Sequence, residues 1–269
     1  MDELEALVTA VAEGAKYRAI DPELIRAIGR RELAARRNFK EAVKATRNKL
    51  HQVAGAYLDG RPDYAGWARR LAEAQQQGET ALRAACIEVM RAHASTRERL
   101  PILERFFATT LAGLPPPTSV LDVACGLGPL ARAWMPLAPG AHYYACDLYA
   151  DMMAFLGEFF ALAGIPGEAF VCDLVAQPPP QEVDLALVLK ALPPLEQIDK
   201  VAGLRLLRGL RARHMLVSFP AQTLGGRGKG MAAFYEQHFR SLIANEGWSI
   251  ERFSFPSELA FLVQKGAGG

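Results

Sequence analysis

Three acids and a glycine turn carry the first chemical signal in this chain. Asp122 lies inside the short apolar run Val120-Leu121-Asp122-Val123, directly ahead of Ala124-Cys125-Gly126-Leu127-Gly128. Asp147 ends a second run, His142–Cys146, 21 residues after Gly126, and Asp173 ends a third, Ala169–Cys172. In an open α/β sheet, ligands bind beyond the carboxyl ends of the strands, near the switch in strand order. A glycine turn lets a ligand approach the backbone, and an acid at the end of the second strand accepts hydrogen bonds from ribose hydroxyls. Two nucleotide-like ligands suit that layout. A dinucleotide needs a third glycine to complete its fingerprint, and Ala131 stands at that position. S-adenosylmethionine has no pyrophosphate, needs no such cradle and is the better fit. Asp147 would take its ribose, Asp173 with Leu174 its adenine, and the turn at Ala124 and Gly126 its methionine portion. Asp122, embedded in its strand, is expected to form an ion pair or a cap beneath the loop rather than to reach the ligand.

The elements that must position these residues alternate. Further apolar runs at Leu185–Leu189 and Met215–Phe219 are separated by helical stretches at Asp151–Ala163 and Glu196–Arg211. This alternation predicts a parallel sheet covered on both faces. Ser249–Phe253 and Glu258–Val263 have only Ser254–Ser257 between them, which permits an antiparallel hairpin and no helical crossover. The first hundred residues read as helices. Asp21-Pro22 is an N-cap followed by proline at the first helical position, and Asn38 with Glu41 forms a capping-box pattern. Further helices are predicted over Asp63–Gln76 and Thr80–Ala92. The expected organisation is an all-helical region, 1–92, followed by an S-adenosylmethionine-binding α/β domain, 93–269.

Composition narrows the class. The chain has 269 residues, 51% of them hydrophobic and 22% charged, enough to bury a full core. The acidic start, Met1-Asp2-Glu3-Leu4-Glu5, does not resemble a leader, and the longest uncharged run, Phe106–Leu121, holds three consecutive prolines and cannot span a membrane. Cys86, Cys125, Cys146 and Cys172 show no metal-ligand spacing. They suit reduced thiols in a cytoplasm, packed as small apolar residues, with no structural metal. The net charge of +2 is uneven: Lys16–Lys49 holds 11 basic and 4 acidic residues. Such a block suits a polyanionic partner, with a solvated helix face as the plainer alternative.

Several segments, taken together, resemble the Arm/Rmt family of 16S rRNA guanine-N7 methyltransferases. They are His93-Ala94-Ser95-Thr96-Arg97-Glu98-Arg99-Leu100, the run from Asp122 to Leu130, Cys146-Asp147, Leu189–Glu196, Ser218-Phe219-Pro220 and Leu224–Met231. The N-terminal region is also similar, with Lys16-Tyr17-Arg18 and a basic helix ending near Gly55-Ala56-Tyr57. One departure is Gly128, where the family usually has Asn. The resemblance implies a class I methyltransferase fold preceded by a helical domain. It also implies S-adenosylmethionine as cofactor and a target at N7 of guanine 1405 in 16S rRNA of the small ribosomal subunit. Aminoglycoside resistance follows from the same likeness, and a monomer in the cytoplasm is expected beside it. A small-molecule methyltransferase and an RNA-binding protein on a degenerate methyltransferase fold stand as alternatives. The basic block speaks against the former, and the intact Asp147 and Asp173 against the latter.

The residues themselves suggest roles, and the resemblance supports the one for Arg97. Arg97 is expected to hold the cofactor's carboxylate in a bidentate pair. Ser95 is expected to cap its helix with Glu98 closing the box, and His93 and Thr96 to assist at the cofactor. Lys190 and Glu196 lie just past the fourth strand, where the acceptor enters. Glu196 would accept from guanine N1–H and N2–H₂, and Lys190 would donate to O6 or a phosphate. Lys16, Arg18, Lys40, Lys44 and Arg47, with Arg227 and Lys229 in the glycine-rich stretch Gly225–Gly230, are the expected RNA contacts. That stretch fails the phosphate-loop pattern because Gly230 stands where Ser or Thr is required. Phe219 is a candidate for stacking on a flipped base.

Overall fold

The computed structural model describes residues 2–14, 17–18, 20–51, 62–221 and 230–266. Lys16, Arg227 and Lys229 lie outside them, as do most of the glycine-rich stretch and Gly55-Ala56-Tyr57.

Three amphipathic helices come first: α1 (Glu3–Ala12), α2 (Pro22–Ala35) and α3 (Phe39–Leu50). The expected caps form. Asp21 accepts from the Glu23 N–H at 2.6 Å, and Asn38 from the Glu41 N–H at 2.9 Å, each satisfying a donor that the helix start would otherwise leave open. Leu7, Val11, Leu24, Ile25, Ile28 and Leu50 turn inward. Next come α4 (Tyr64–Gln77), capped by Asp63, and α5 (Glu79–Met90). After α6 (Ala94–Arg99) and α7 (Leu103–Thr110), the chain enters the sheet.

The strands are β1 (Ser119–Val123), β2 (His142–Asp147), β3 (Gly167–Val171), β4 (Glu182–Leu189), β5 (Arg211–Pro220), β6 (Ser249–Ser254) and β7 (Glu258–Gln264). Their order is β3-β2-β1-β4-β5-β7-β6, with β1 to β5 parallel and β7 antiparallel to both its neighbours. The terminal hairpin thus forms as its short connection requires. The chain leaves β1 for β2 and β3 on one side and for β4 and β5 on the other, so the switch point lies between β1 and β4. Side chains alternate across the sheet. Val120 joins the apolar layer shared with α1–α5, α7 and α8 (Ala150–Leu162), whereas Leu121 and Val123 join the layer under α10 (Ala202–Gly209) and α11 (Met231–Leu242). The N-terminal helices belong to the first of these layers and share a buried cluster with the sheet.

Two local expectations need correction. The single helix over Glu196–Arg211 is two helices, α9 (Leu192–Ile198) and α10, because the Asp199 side chain accepts from the Val201 N–H and turns the chain. Ser95 is not the cap of α6. His93 holds that position, the Ser95 hydroxyl meets His93 Nδ1 at 3.0 Å, and Glu98 pairs with Lys190 instead of closing a box.

Candidate active site

Past the carboxyl ends of β1, β2, β3 and β4 lies a largely apolar cleft into which a few polar groups converge, His93, Asp147, Asp173 and Lys190 among them, the make-up of a small-molecule site. Its base is the β1 turn. Ala124 (φ +49°) and Gly126 (φ +51°) both adopt left-handed backbone, and Lys190, just past the neighbouring β4, does the same (φ +59°). Such conformations are rare outside glycine and gather where the surrounding structure imposes them, often at ligand sites. The Cys125 N–H bonds to the Cys146 carbonyl, which ties the turn to β2. Only glycine fits at 126, since a Cβ there would sit 2.6 Å from the His93 ring.

Asp147 closes the turn from the β2 side. Its Oδ2 accepts from the Gly126 N–H at 2.9 Å and its Oδ1 from the Leu148 N–H at 2.6 Å. Burial pushes this carboxyl above the usual range, and the two N–H donors pull it back. Each oxygen keeps a further lone pair for a ligand hydroxyl. Asp173, two residues past β3, accepts from the Val175 and Ala176 N–H groups at 2.9 and 3.3 Å, and burial raises its pKa too. Leu24, Met152, Leu174 and Val175 supply apolar lining, and Leu189, Lys190 and Ala191 continue it on the β4 side. The arrangement suits S-adenosylmethionine and disfavours a pyrophosphate. A carboxylate already occupies the glycine turn's N–H, and the turn leads into a 3₁₀ segment, Gly128–Trp134, that carries Pro129 in its first turn and offers no helical anion site.

Other expected residues fall differently. Asp122 is buried under the turn, accepts from the Tyr143 hydroxyl at 3.0 Å, and is pushed up to about 7 by burial. It lies beneath the loop as expected, but its carboxylate bonds to the Tyr143 hydroxyl and not to an ion-pair or capping partner. Thr96 is buried with its hydroxyl donated to the Met90 and His93 carbonyls. Arg97 does not line the cleft, and its guanidinium donates to the Arg91 carbonyl at 3.0 Å. Glu196 does not line it either. His238 Nε2 meets its Oε2 at 2.7 Å, and its Oε1 packs so closely on Gly203 that a Cβ there would lie 2.5 Å away. Phe219 is fully buried, stacked on Tyr235, and is not available to a base. Arg18, Lys40 and Lys44 are exposed. Arg47 departs from their row: it is half-buried, donates to the Ala10 carbonyl and offers its own carbonyl to the Tyr17 hydroxyl, so it ties helices together. Among the described residues no cluster of His, Cys, Asp or Glu is placed to hold a metal ion, and no helix is long and apolar enough to cross a membrane.

Sequence reasoning missed a buried ionic group beside the cleft. Lys190 Nζ meets Glu98 at 2.7 Å and Glu258 at 3.6 Å, and Arg99 grips Glu258 through both Nε and Nη2. Arg99 and Glu258 lie 159 positions apart in the chain, and nothing in the local pattern around either one announces the pairing.

Comparison with known proteins agrees with this geometry. Residues 13–262 match the family model described as "Ribosomal RNA methyltransferase (FmrO)". A 16S rRNA (guanine(1405)-N(7))-methyltransferase of Frankia casuarinae is 40% identical over 259 residues, covering 95% of this chain and 91% of that protein. One of the same name from Micromonospora echinospora is 34% identical over 267 residues, covering 98% and 97%. Among solved structures, the 16S rRNA methyltransferase RmtF in complex with S-adenosyl-L-homocysteine superposes with a TM-score of 0.84 at 33% identity, covering 99% of each chain.

Proposed function

The chain belongs to the FmrO family of ribosomal RNA methyltransferases, and from that premise we propose that it transfers a methyl group from S-adenosylmethionine to N7 of guanine 1405 in 16S rRNA. Cells that carry it would then resist aminoglycosides that bind at that guanine. The observation that carries the cofactor half of this reading is the closure of the β1 glycine turn by Asp147, flanked by Asp173 in an otherwise apolar cleft.

The cofactor supplies a methyl on an electron-poor sulfonium. Guanine N7 presents an in-plane lone pair at neutral pH, so the reaction requires no general base. The protein's task is to align N7 with the methyl carbon and to exclude water. Asp147 would hold the ribose hydroxyls, Asp173 and the backbone at Leu174 would meet the adenine, and Ala124, Gly126 and the His93 ring would border the methionine portion. Lys190 is the only lysine or arginine among the described cleft-lining residues. It faces the acceptor side, where its ammonium can donate to guanine O6 or to a phosphate. Glu196 acts at one remove, by fixing α9 against α11 through His238. Arg18, Lys40 and Lys44 form the exposed basic surface for rRNA phosphates, within the small subunit and with the enzyme as a monomer. The decisive test is tritiated methyl transfer to isolated small subunits, with 7-methylguanine mapped by base-specific chain scission. Label at guanine 1405 is expected, and label elsewhere or none would refute the assignment.

A further inference from the structure

The buried ionic group beside the cleft joins four elements that are remote in sequence. Glu258 opens β7, opposite Pro220 at the end of β5. Its side chain is fully buried, and its backbone is held by the turn, where the Phe255 N–H donates to its carbonyl at 2.8 Å. The carboxylate accepts from Arg99 of α6 at 2.7 to 3.2 Å and from the Ser218 hydroxyl of β5 at 2.5 Å. Lys190 Nζ lies 3.6 Å away and is held from the other side by Glu98 at 2.7 Å and the Ser95 carbonyl at 3.4 Å. The Lys190 N–H in turn bonds to the Ser218 carbonyl at 3.0 Å. Two cations and two carboxylates thus neutralise one another where desolvated charges would otherwise be costly.

A lysine ammonium is a compact point charge on a flexible four-carbon stem, and it has no preferred direction of its own. Here the stem starts from a left-handed backbone and only 7% of the residue is exposed, yet it lines the cleft. Glu258 itself does not line the cleft. We propose that Glu258 is a positioning residue that, with Ser218 and Arg99 fixing its carboxylate, holds the Lys190 ammonium at the acceptor side of the cleft. The role rests on the reading of Lys190 as an acceptor-facing group. It extends the active site to a strand that contributes nothing to the cofactor cleft. Burial opposes the ionisation of Glu258, but the charges of Arg99 and Lys190 outweigh it and keep the carboxyl below its ordinary pKa, as a fixed anion must be.

The test uses Glu258→Gln, which keeps size and removes charge. Its kcat for methyl transfer to small subunits should fall about tenfold or more, while the KM for subunits stays within about twofold. In a Lys190→Gln background the same substitution should change kcat by less than about twofold, since its target is already gone. Acylation of Lys190 by acetic anhydride, followed by mass spectrometry, should be several-fold faster in Glu258→Gln than in the wild type. This readout needs no methyl transfer. If Glu258→Gln does not fold, Ser218→Ala, which removes one donor to the carboxylate, should show the same pattern at a few-fold scale. A wild-type kcat in the variant, an equal loss in both backgrounds, or unchanged acylation would overturn the role. Failure of the wild type to methylate subunits would count against the methyltransferase reading alone, and the acylation rates would then decide the positioning role.

Discussion

Asp147 shows how a single side chain serves two partners. Its oxygens already bind two backbone N–H groups, so it holds the glycine turn in shape before any ligand arrives. Asp147→Ala should therefore weaken S-adenosylmethionine binding by more than one charge-assisted hydrogen bond of about 1.5–3 kcal/mol. Titration calorimetry with unchanged affinity would remove it from the cofactor site. Asp122 supports a different prediction. Burial pushes its folded pKa up to about 7, above the ordinary aspartate value of about 3.9, so the native state holds the extra proton between those values. Stability contributed by this group is present at low pH and declines as pH rises from about 4 to about 7. Asp122→Asn keeps an acceptor for Tyr143 and should abolish that component. Thermal melts of both proteins between about pH 4 and 8 should lie close together at the acid end and separate up to about pH 7, with the variant the more stable. Parallel melting curves across that range would contradict the buried-acid reading. Asp122, Asp147 and Asp173 were legible because strand ends and spacing give their places away. The bond from the Arg97 guanidinium to the Arg91 carbonyl was not legible, because a motif fixes order along the chain and not the direction in which a side chain leaves a short helix. Glu258 was illegible because its partners come from distant segments.

Secondary structure was easier to read than its junctions. The parallel strands, the terminal hairpin and the Asp21 and Asn38 caps follow from apolar periodicity and turn chemistry, which are local. The break between α9 and α10 depends on Asp199 capturing a backbone N–H, and the start of α6 depends on how His93 packs against the β1 turn. That second contact is testable. Gly126→Ala adds a methyl 2.6 Å from the His93 ring at a residue with φ +51°. It should cost about 1–3 kcal/mol of stability through the backbone conformation alone, and the steric clash should further reduce cofactor affinity. Combining it with His93→Ala should restore the stability lost to the clash and leave the loss due to φ, while cofactor affinity stays low because the His93 ring itself lines the cleft. Chemical denaturation and calorimetry on the three variants would separate the two, and a fully neutral Gly126→Ala would refute both.

At the scale of the whole molecule, the charge excess in Lys16–Lys49 divides into two kinds of residue that sequence alone treats alike. Lys40 and Lys44 stay exposed, whereas Arg47 is spent on the Ala10 carbonyl. Neutralising Lys40 and Lys44 should weaken small-subunit binding and flatten its log–log salt dependence by up to about 2 units, with cofactor affinity unchanged. Arg47→Ala should instead lower thermal stability and leave the salt slope intact. Subunit binding across a salt series checks both, and identical slopes for wild type and the double variant would exclude docking through this face.

The N-terminal helices do more than present charge. Ile20 forms an antiparallel bridge with Tyr149, the Asp21 N–H bonds to the Leu148 carbonyl at 3.3 Å, and Leu24 lines the cofactor cleft. The helices that carry the basic residues therefore also complete one wall of the cleft, one residue beyond Asp147. Thermodynamic reciprocity then binds the two ligands together: any factor by which cofactor loading changes affinity for the subunit must equally be the factor by which the subunit changes affinity for the cofactor.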